Sequence, residues 1–256
     1  MFTRAIVRPP ATNFAQGLTM ADLGDPDYEL ALKQHETYSV ALAQCGLTLT
    51  RLEPDPNHPD SSFVEDTAIL TDQCAVLTQP GAPSRAGEVA SIRLALAEFF
   101  PDLNTIESPG TVDGGDVCEA GNHFFIGLSE RTNEAGAQQL SALLASSGYS
   151  CTLVDIRSES SLLHLKSGLA YLGDRRLVVS EALASRAEFV GYDRIVVNDA
   201  EAYAANCLRV NDYVLVADGY PMLTEQLCRL GYQTVALKMS EFQKMDGGLS
   251  CLSLRF

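Results

Sequence analysis

Five short polar segments of the 256-residue chain contain most of the side chains that could do chemistry. A cysteine in the last segment could attack an electrophilic carbon as a thiolate, and a histidine in the third could move protons near neutral pH. Taken singly, Cys251 could equally be a packed cysteine and His164 a buried histidine among leucines. The segments are PDSSFVED (59–66), VDGGD (112–116), LHLKSG (163–168), AANC (204–207) and MDGGLSC (245–251).

Acidic side chains in the same segments indicate that the substrate is a cation. Asp60, Glu65, Asp66 and Asp113 could bind a delocalised cation in bidentate geometry. Carboxylates raise the pKa of a nearby thiol, so they would hinder a nucleophilic cysteine unless the substrate brings its own positive charge. A guanidinium held by carboxylates, with its central carbon facing the sulfur, satisfies both requirements.

The composition excludes several classes of function. A net charge of −15 argues against a nucleic-acid partner, which needs a basic surface, and it suits a cationic small molecule. Charge of this size can also serve solubility alone. No stretch of about 18 apolar residues is present and no secretory signal pattern precedes the first predicted strand, so we expect no membrane span and no export.

Seven cysteines are scattered along the chain without a C-x-x-C pair. We therefore expect neither a disulfide framework nor a zinc site. Cysteines of this kind in a chain without a secretory signal are typical of the reducing cytoplasm. We expect the protein to be a monomer or a homodimer.

The apolar stretches recur as five units, each predicted to be a strand, a turn, an amphipathic helix and a second strand. Leu140, Leu143 and Leu144 mark the apolar face of the helix in the third unit, and a glycine is expected to end three helices in a left-handed turn, at Gly46, Gly148 and Gly231. A doubly wound sheet would also alternate strands and helices, but no glycine-rich phosphate-binding turn follows a strand. The pattern instead favours one α/β domain over residues 1–256, a closed ring on whose axis the polar segments converge.

The last polar segment is predicted to lead directly into a short final strand. Apolar and polar residues alternate from Leu249 to Leu254, which places Cys251 on that strand after two glycines. A second glycine-containing stretch, GLTMADLGDPDY (17–28), is either a lid over the substrate or an ordinary connecting loop.

The motifs FVED, DGGD, HLKSG, AANC and DGGLSC, in this order over nearly the full length, resemble those of the guanidine-modifying superfamily. The stretches LHLKSG and FFIGLSERTN and the DGG-x-x-C ending are most similar to its dimethylarginine dimethylaminohydrolase family. The resemblance implies a five-bladed α/β propeller (pentein) with pseudo-five-fold repeats of a ββαβ module. It also implies hydrolysis of Nω,Nω-dimethyl-L-arginine, or Nω-monomethyl-L-arginine, to L-citrulline and dimethylamine or methylamine, without a metal or organic cofactor.

The resemblance also implies a role for individual residues. Cys251 would be the nucleophile, His164 the general acid and base, and Asp113 the acid that supports the histidine and the guanidinium. Some members of the superfamily have Glu at the position of Asp113, which alters the fit of the guanidinium. The implied substrate-binding residues are Glu65 and Asp66 for the guanidinium nitrogens, Asp60 with backbone oxygens near Leu18 and Met245 for the α-ammonium, and Arg85 and Arg131 for the α-carboxylate.

Two alternatives remain at the level of sequence. Arginine deiminase or another amidine hydrolase could use the same residues, since methylated and unmethylated arginine differ at one nitrogen. Arginine deiminases are longer by a helical insertion, for which this chain has no room. A non-catalytic propeller that keeps the fold is disfavoured because the cysteine, the histidine and the acid are all present.

Overall fold

The computed structural model describes residues 1–256 and contains five three-stranded sheets. In every sheet the middle strand has one antiparallel and one parallel neighbour. The strands are β1 (Arg4–Val7), β2 (Thr48–Arg51), β3 (Ala68–Leu70), β4 (Ala75–Leu77), β5 (Leu103–Thr105), β6 (Val117–Glu119), β7 (His123–Leu128), β8 (Ser150–Asp155), β9 (Leu169–Tyr171), β10 (Arg176–Ser180), β11 (Asp193–Val197), β12 (Leu208–Val210), β13 (Tyr213–Ala217), β14 (Gln233–Leu237) and β15 (Leu254–Arg255).

Four of the sheets follow one connectivity along the chain. An inner strand turns back antiparallel onto the middle strand, and a crossover then brings the third strand parallel to the middle one, as in β6, β7 and β8. Parallel pairing requires such a long connection, which explains why an α-helix lies between the second and third strands in three of these four sheets. This arrangement is the predicted ββαβ module.

The first sheet closes the ring, because its inner strand comes from the other end of the chain. β15 pairs antiparallel with β1, and β1 pairs parallel with β2. The last strand therefore completes the first blade, and the five sheets surround a common axis as a five-bladed α/β propeller, as predicted.

The α-helices are α1 (Tyr28–Gln44), α2 (Val89–Leu96), α3 (Glu134–Ser146), α4 (Pro221–Arg229) and α5 (Ser240–Gln243). α1 begins where the Asp27 carboxylate accepts a hydrogen bond from Leu30 N at 2.9 Å. The three glycines predicted to end helices all have left-handed φ values of 87° to 94°. None of the helices is long and apolar enough to cross a membrane.

The helix predicted for the fourth unit is wrong. Two short 3-10 turns, Glu181–Leu183 and Ala187–Phe189, replace it between β10 and β11. The connection is too short for a stable helix with a turn at each end, because helix nucleation costs more than a few hydrogen bonds return.

The core consists of five apolar clusters, and each cluster joins two neighbouring sheets. Successive side chains of a strand point to opposite faces, so a middle strand contributes to both adjacent clusters. In β7, for example, Phe124 and Ile126 pack toward one neighbouring sheet and Phe125 toward the other. Burial on both faces explains why the middle strands are continuous apolar runs.

Candidate active site

The five predicted polar segments converge at one end of the axis. In every blade a 3-10 turn immediately precedes the inner strand, and neighbouring turns contact one another around the ring. A narrow cleft there is lined by Leu18, Asp60, Phe63, Asp66, Arg85, Arg131, Leu163, His164, Met245, Asp246, Gly247 and Cys251. The structure thus brings together eight of the ten predicted site residues; Asp113 contacts the cleft histidine from behind, and Glu65 lies elsewhere.

His164 and Asp113 form a buried pair at the base of the cleft. His164 Nε2 lies 3.1 Å from Asp113 Oδ2, and Asp113 Oδ1 accepts a hydrogen bond from Gly81 N at 2.8 Å. Burial lowers the pKa of His164, but the carboxylates of Asp66, Asp116 and Asp113 outweigh it and raise that pKa to about 9. The imidazole is therefore a cation at neutral pH and can donate a proton.

Glycine is required next to this pair. A Cβ on Gly115 would lie 2.8 Å from the His164 ring, and the Gly115 N–H donates to Asp66 Oδ1 at 2.7 Å. In the DGGD segment the backbone thus approaches the His164 ring closely, in addition to forming a turn.

Cys251 lies in the 3-10 turn Ser250–Leu252, and not on a strand as the alternating pattern predicted. The Cys251 N–H donates to Gly248 O at 3.2 Å, and Gly248 N lies 3.4 Å from the sulfur, so local bonds replace strand pairing. Burial, together with the carboxylates of Glu65 and Asp66, raises the pKa of the thiol to about 12. At neutral pH the thiol of the free protein is protonated.

The two arginines of the cleft differ in their partners. Arg85 is buried and donates to Glu88 through Nε and Nη2, to Asp66 through Nη1 at 2.6 Å, and to Phe63 O. A guanidinium has five N–H groups, so Arg85 retains one on Nη1 for a ligand. The Arg131 side chain lines the cleft without an ion pair, which leaves its whole planar fork available.

Asp60 joins the cleft to the segment 17–27. Its buried carboxylate accepts from Leu18 N at 3.0 and 3.2 Å, and burial raises its pKa, although Arg85 and Arg131 oppose the rise. At the other side Asp246 Oδ2 accepts from Met20 N at 2.5 Å and from the Thr19 hydroxyl at 3.1 Å. The segment is therefore held across the mouth of the cleft at both edges.

Glu65, for which the resemblance implies a contact with the guanidinium, is absent from the lining of the cleft. Its carboxylate accepts from the Ser250 hydroxyl at 2.7 Å, from Lys166 Nζ at 2.6 Å and from Arg255 Nη2 at 3.0 Å. With two cations and a hydroxyl already bound, this carboxylate forms the wall behind Cys251. Direct binding of the guanidinium by Glu65 stays a prediction.

A second and larger cavity, of about 470 Å³, lies on the axis behind that wall and is lined by the five inner strands. Large cavities are the usual place to look for a ligand. This one holds two cysteines, Cys118 and Cys207, but burial raises the pKa of each to about 12 and neither has a histidine beside it in the lining. The residues that can carry out chemistry lie in the smaller cleft.

One group of side chains has the composition of a metal site. Ligand atoms of Asp66, Asp113 and His164 lie within 4.8 Å of one another. Asp113 and His164 are hydrogen-bonded to each other, and Asp66 forms an ion pair with Arg85. These contacts use the donor atoms within the protein, and they suit proton transfer better than metal binding.

Sequence reasoning missed two buried polar residues that organise the site. Asp116 accepts from Leu165 N, Ser129 Oγ and Thr132 Oγ1 at 2.6 to 2.9 Å, which fixes the backbone next to His164. Asn206 contacts both the turn of Cys251 and the segment of His164. Both lie within polar segments found in the sequence, but only their contacts distinguish them from turn residues.

The family model for arginine deiminase matches residues 27–197. The N(G),N(G)-dimethylarginine dimethylaminohydrolase of Pseudomonas aeruginosa is 45% identical over 257 residues, covering all of both chains. The chain belongs to the arginine deiminase family. A relative of the same name from Streptomyces coelicolor is 34% identical and covers 98% of this chain and 96% of its own.

Solved structures of this family agree with the fold. DDAH from Pseudomonas aeruginosa, as a cysteine-to-serine mutant complexed with citrulline, superposes with a TM-score of 0.97 at 44% identity over the full length of both chains. The N-terminal domain of ArgZ, an arginine dihydrolase, has a TM-score of 0.89 at 19% identity, which shows the fold alone. The predicted family and the pentein architecture are confirmed.

Proposed function

We propose that this protein hydrolyses Nω,Nω-dimethyl-L-arginine and Nω-monomethyl-L-arginine to L-citrulline and the corresponding methylamine. The observation that carries the proposal is the joint lining of one cleft by a thiol, a charged imidazole, carboxylates and a free guanidinium. Relatives over the full length carry the name of this activity, and one of them has been crystallised with citrulline. These findings support the same chemistry.

Substrate binding is assigned by charge. The guanidinium lies against Asp66, with Asp113 supporting it from behind His164; the α-ammonium lies against Asp60 with the backbone near Leu18 and Met245, and the α-carboxylate against Arg131. Arg85 contributes its remaining Nη1 N–H to that carboxylate. Because the substrate cation enters beside Cys251, it offsets the carboxylates that raise the thiol pKa and favours the thiolate.

The reaction proceeds in two halves. The Cys251 thiol loses its proton to solvent as the cation binds, and the thiolate sulfur forms a bond to the guanidinium carbon. The bond from that carbon to the methylated nitrogen breaks, and His164 gives its proton to the departing amine. A covalent S-alkylthiouronium remains. His164, now neutral, takes a proton from water, which forms the C–O bond as the C–S bond breaks, and citrulline and the thiol are released.

The remaining expectations are proposals at a finer level. We infer that residues 1–256 act as one catalytic domain, as a monomer or homodimer in the cytoplasm, with the small-molecule substrate as the ligand and no nucleic-acid or membrane partner. Light scattering of the purified protein checks the assembly.

The test is an assay of citrulline with dimethylarginine, monomethylarginine and arginine as separate substrates. We expect turnover of both methylated substrates and a loss of at least about 10³-fold in the folded Cys251→Ser variant. Turnover of arginine alone, with release of ammonia, would identify an arginine deiminase instead. Absence of citrulline from all three substrates would refute the proposed function.

A further inference from the structure

Asn206 lies between the two segments that carry the nucleophile and the proton donor. Its Oδ1 accepts from Ser250 N at 2.9 Å, and its Nδ2 donates to Lys166 O at 2.9 Å and to Ser250 Oγ at 3.2 Å. Ser250 directly precedes Cys251, and Lys166 follows His164 by two residues. The side chain is 6% exposed, so water competes little for these bonds.

The packing around this amide leaves little freedom. A Cβ on Gly248 would lie 2.5 Å from Asn206 Cγ, so the backbone before Cys251 packs directly against the amide plane. Asn206 itself follows the 3-10 turn Asp199–Ala205, which ends just before the inner strand β12. The amide is thus supported by its own blade while it bonds to the blades on either side.

We propose that Asn206 is a positioning residue for the hydrolysis, which holds the Cys251 turn at a fixed separation from the His164 segment. This proposal rests on the proposed function. In both half-reactions the sulfur must reach the guanidinium carbon while the imidazole reaches the amine or water at that carbon. A displacement of about 1 Å between two such groups can cost on the order of 10²-fold in rate. Asparagine suits the place because it offers an acceptor and a donor in one plane.

The chain offers a matched control in Asn211. Its Oδ1 accepts from Phe2 N at 2.9 Å, and its Nδ2 donates to Phe2 O at 3.0 Å and Cys45 O at 2.9 Å. It therefore bridges two backbone segments as Asn206 does, but neither segment carries a residue of the cleft. Loss of its bonds affects folding without moving Cys251 relative to His164.

The experiment compares Asn206→Ser and Asn206→Asp with Asn211→Ser and Asn211→Asp. For both Asn206 variants we expect kcat for dimethylarginine to fall about 10- to 100-fold with KM within about threefold of wild type. For the Asn211 variants we expect a comparable fall in Tm and kcat within about twofold. All assays are run well below the Tm of each variant.

Each outcome bears on the proposal. An Asn206→Ser kcat within twofold of wild type, or an equal loss in Asn211→Ser, overturns it. A loss confined to Asn206→Asp overturns it too, because added charge near the thiol would then be the cause. If Asn206→Ser does not fold, Asn206→Thr takes its place as the neutral variant. If the wild-type protein forms no citrulline, the proposed function fails. If the wild-type protein and the Asn206 variants are equally active, this inference alone fails.

Discussion

The two central residues of the cleft, His164 and Cys251, are both protonated at neutral pH, and only His164 is then in the state that the proposed reaction needs. Carboxylates around His164 hold its pKa at about 9 and keep it a cation, while burial and carboxylates hold the pKa of Cys251 at about 12. The acid is ready before substrate arrives, but the nucleophile is not. In the proposed reaction a bound guanidinium supplies the missing positive charge beside the thiol, so we expect the thiol to react only when such a ligand is bound.

Replacement of the two cleft arginines is expected to change different properties, KM for Arg131 and the free energy of unfolding for Arg85. Arg131→Ala should raise KM about 10-fold or more and leave the free energy of unfolding nearly unchanged, because the side chain has no ion pair to lose. Arg85→Ala should lower that free energy by about 3–5 kcal/mol, since Asp66 and Glu88 would remain buried and unpaired. Urea unfolding and steady-state kinetics on both variants measure the contrast. A stable Arg85→Ala protein whose only defect is KM would show that ligand binding, and not the buried pair, is its main role.

Sequence alone could identify candidate reacting residues that the structure brings together, but not the network that holds them. Cys251, His164 and Asp113 belong to motifs with a recognisable order along the chain. The environment of Glu65 depends on Lys166 and Arg255, which approach from other blades and have no sequence pattern in common with it. Contacts between distant segments decide such roles, and periodicity carries no information about them.

At the scale of elements, the turns before the inner strands do most of the positioning. One turn from each blade reaches the same end of the axis, so five short segments far apart in sequence form one site. Continuous apolar runs in the sequence predicted the middle strands well, because both faces of these strands are buried. Alternation predicted only the last strand. It failed at Cys251 because three residues of a 3-10 turn can show the same alternation as a strand.

We infer that the stretch 17–28 moves when substrate enters. The cleft has a volume of about 30 Å³, which suffices for about one or two water molecules but not for an amino acid. Bonds to Asp60 on one side and Asp246 on the other keep the segment over the cleft. Of the two alternatives that the sequence left open, these bonds favour the lid over the connecting loop, and the Asp246 carboxylate would be its latch.

We expect Asp246→Gly to release that latch. Glycine accepts the left-handed φ of 55° at this position, so the change removes the carboxylate without straining the backbone. Loss of the bonds to Thr19 and Met20 should raise KM and speed cleavage of the segment by thermolysin, each about 10-fold. Asp174→Gly, at a left-handed φ of 50° in an exposed turn, is the matched control. Equal protease sensitivity in the two variants would show that Asp246 does not hold the segment.

At the scale of the whole molecule, closure of the ring and placement of the Cys251 thiol depend on the same few residues. β15 completes the first blade, and Arg255 on that strand donates through Nη1 to Ser250 O at 3.1 Å and Ser253 O at 2.7 Å. The Tyr38 hydroxyl on α1 meets Ser253 Oγ at 2.6 Å. The chain end is therefore attached to the first blade at Ser253, through Tyr38, and at β15, which begins three residues after Cys251.

Leu254→Ala should therefore reduce activity as well as stability, unlike an equal change elsewhere in the core. Leu254 is buried opposite Ile6 in the closing strand pair, and Leu140 is equally buried in α3, away from the axis. Each substitution to alanine should lower the free energy of unfolding by about 2–5 kcal/mol. At a temperature where both variants are fully folded, kcat of Leu254→Ala should fall about 10-fold, because the closing strand sets the position of the Cys251 turn, while Leu140→Ala should stay within about twofold of wild type. Equal kcat values in the two variants would mean that the turn keeps its place without the packing of the last strand.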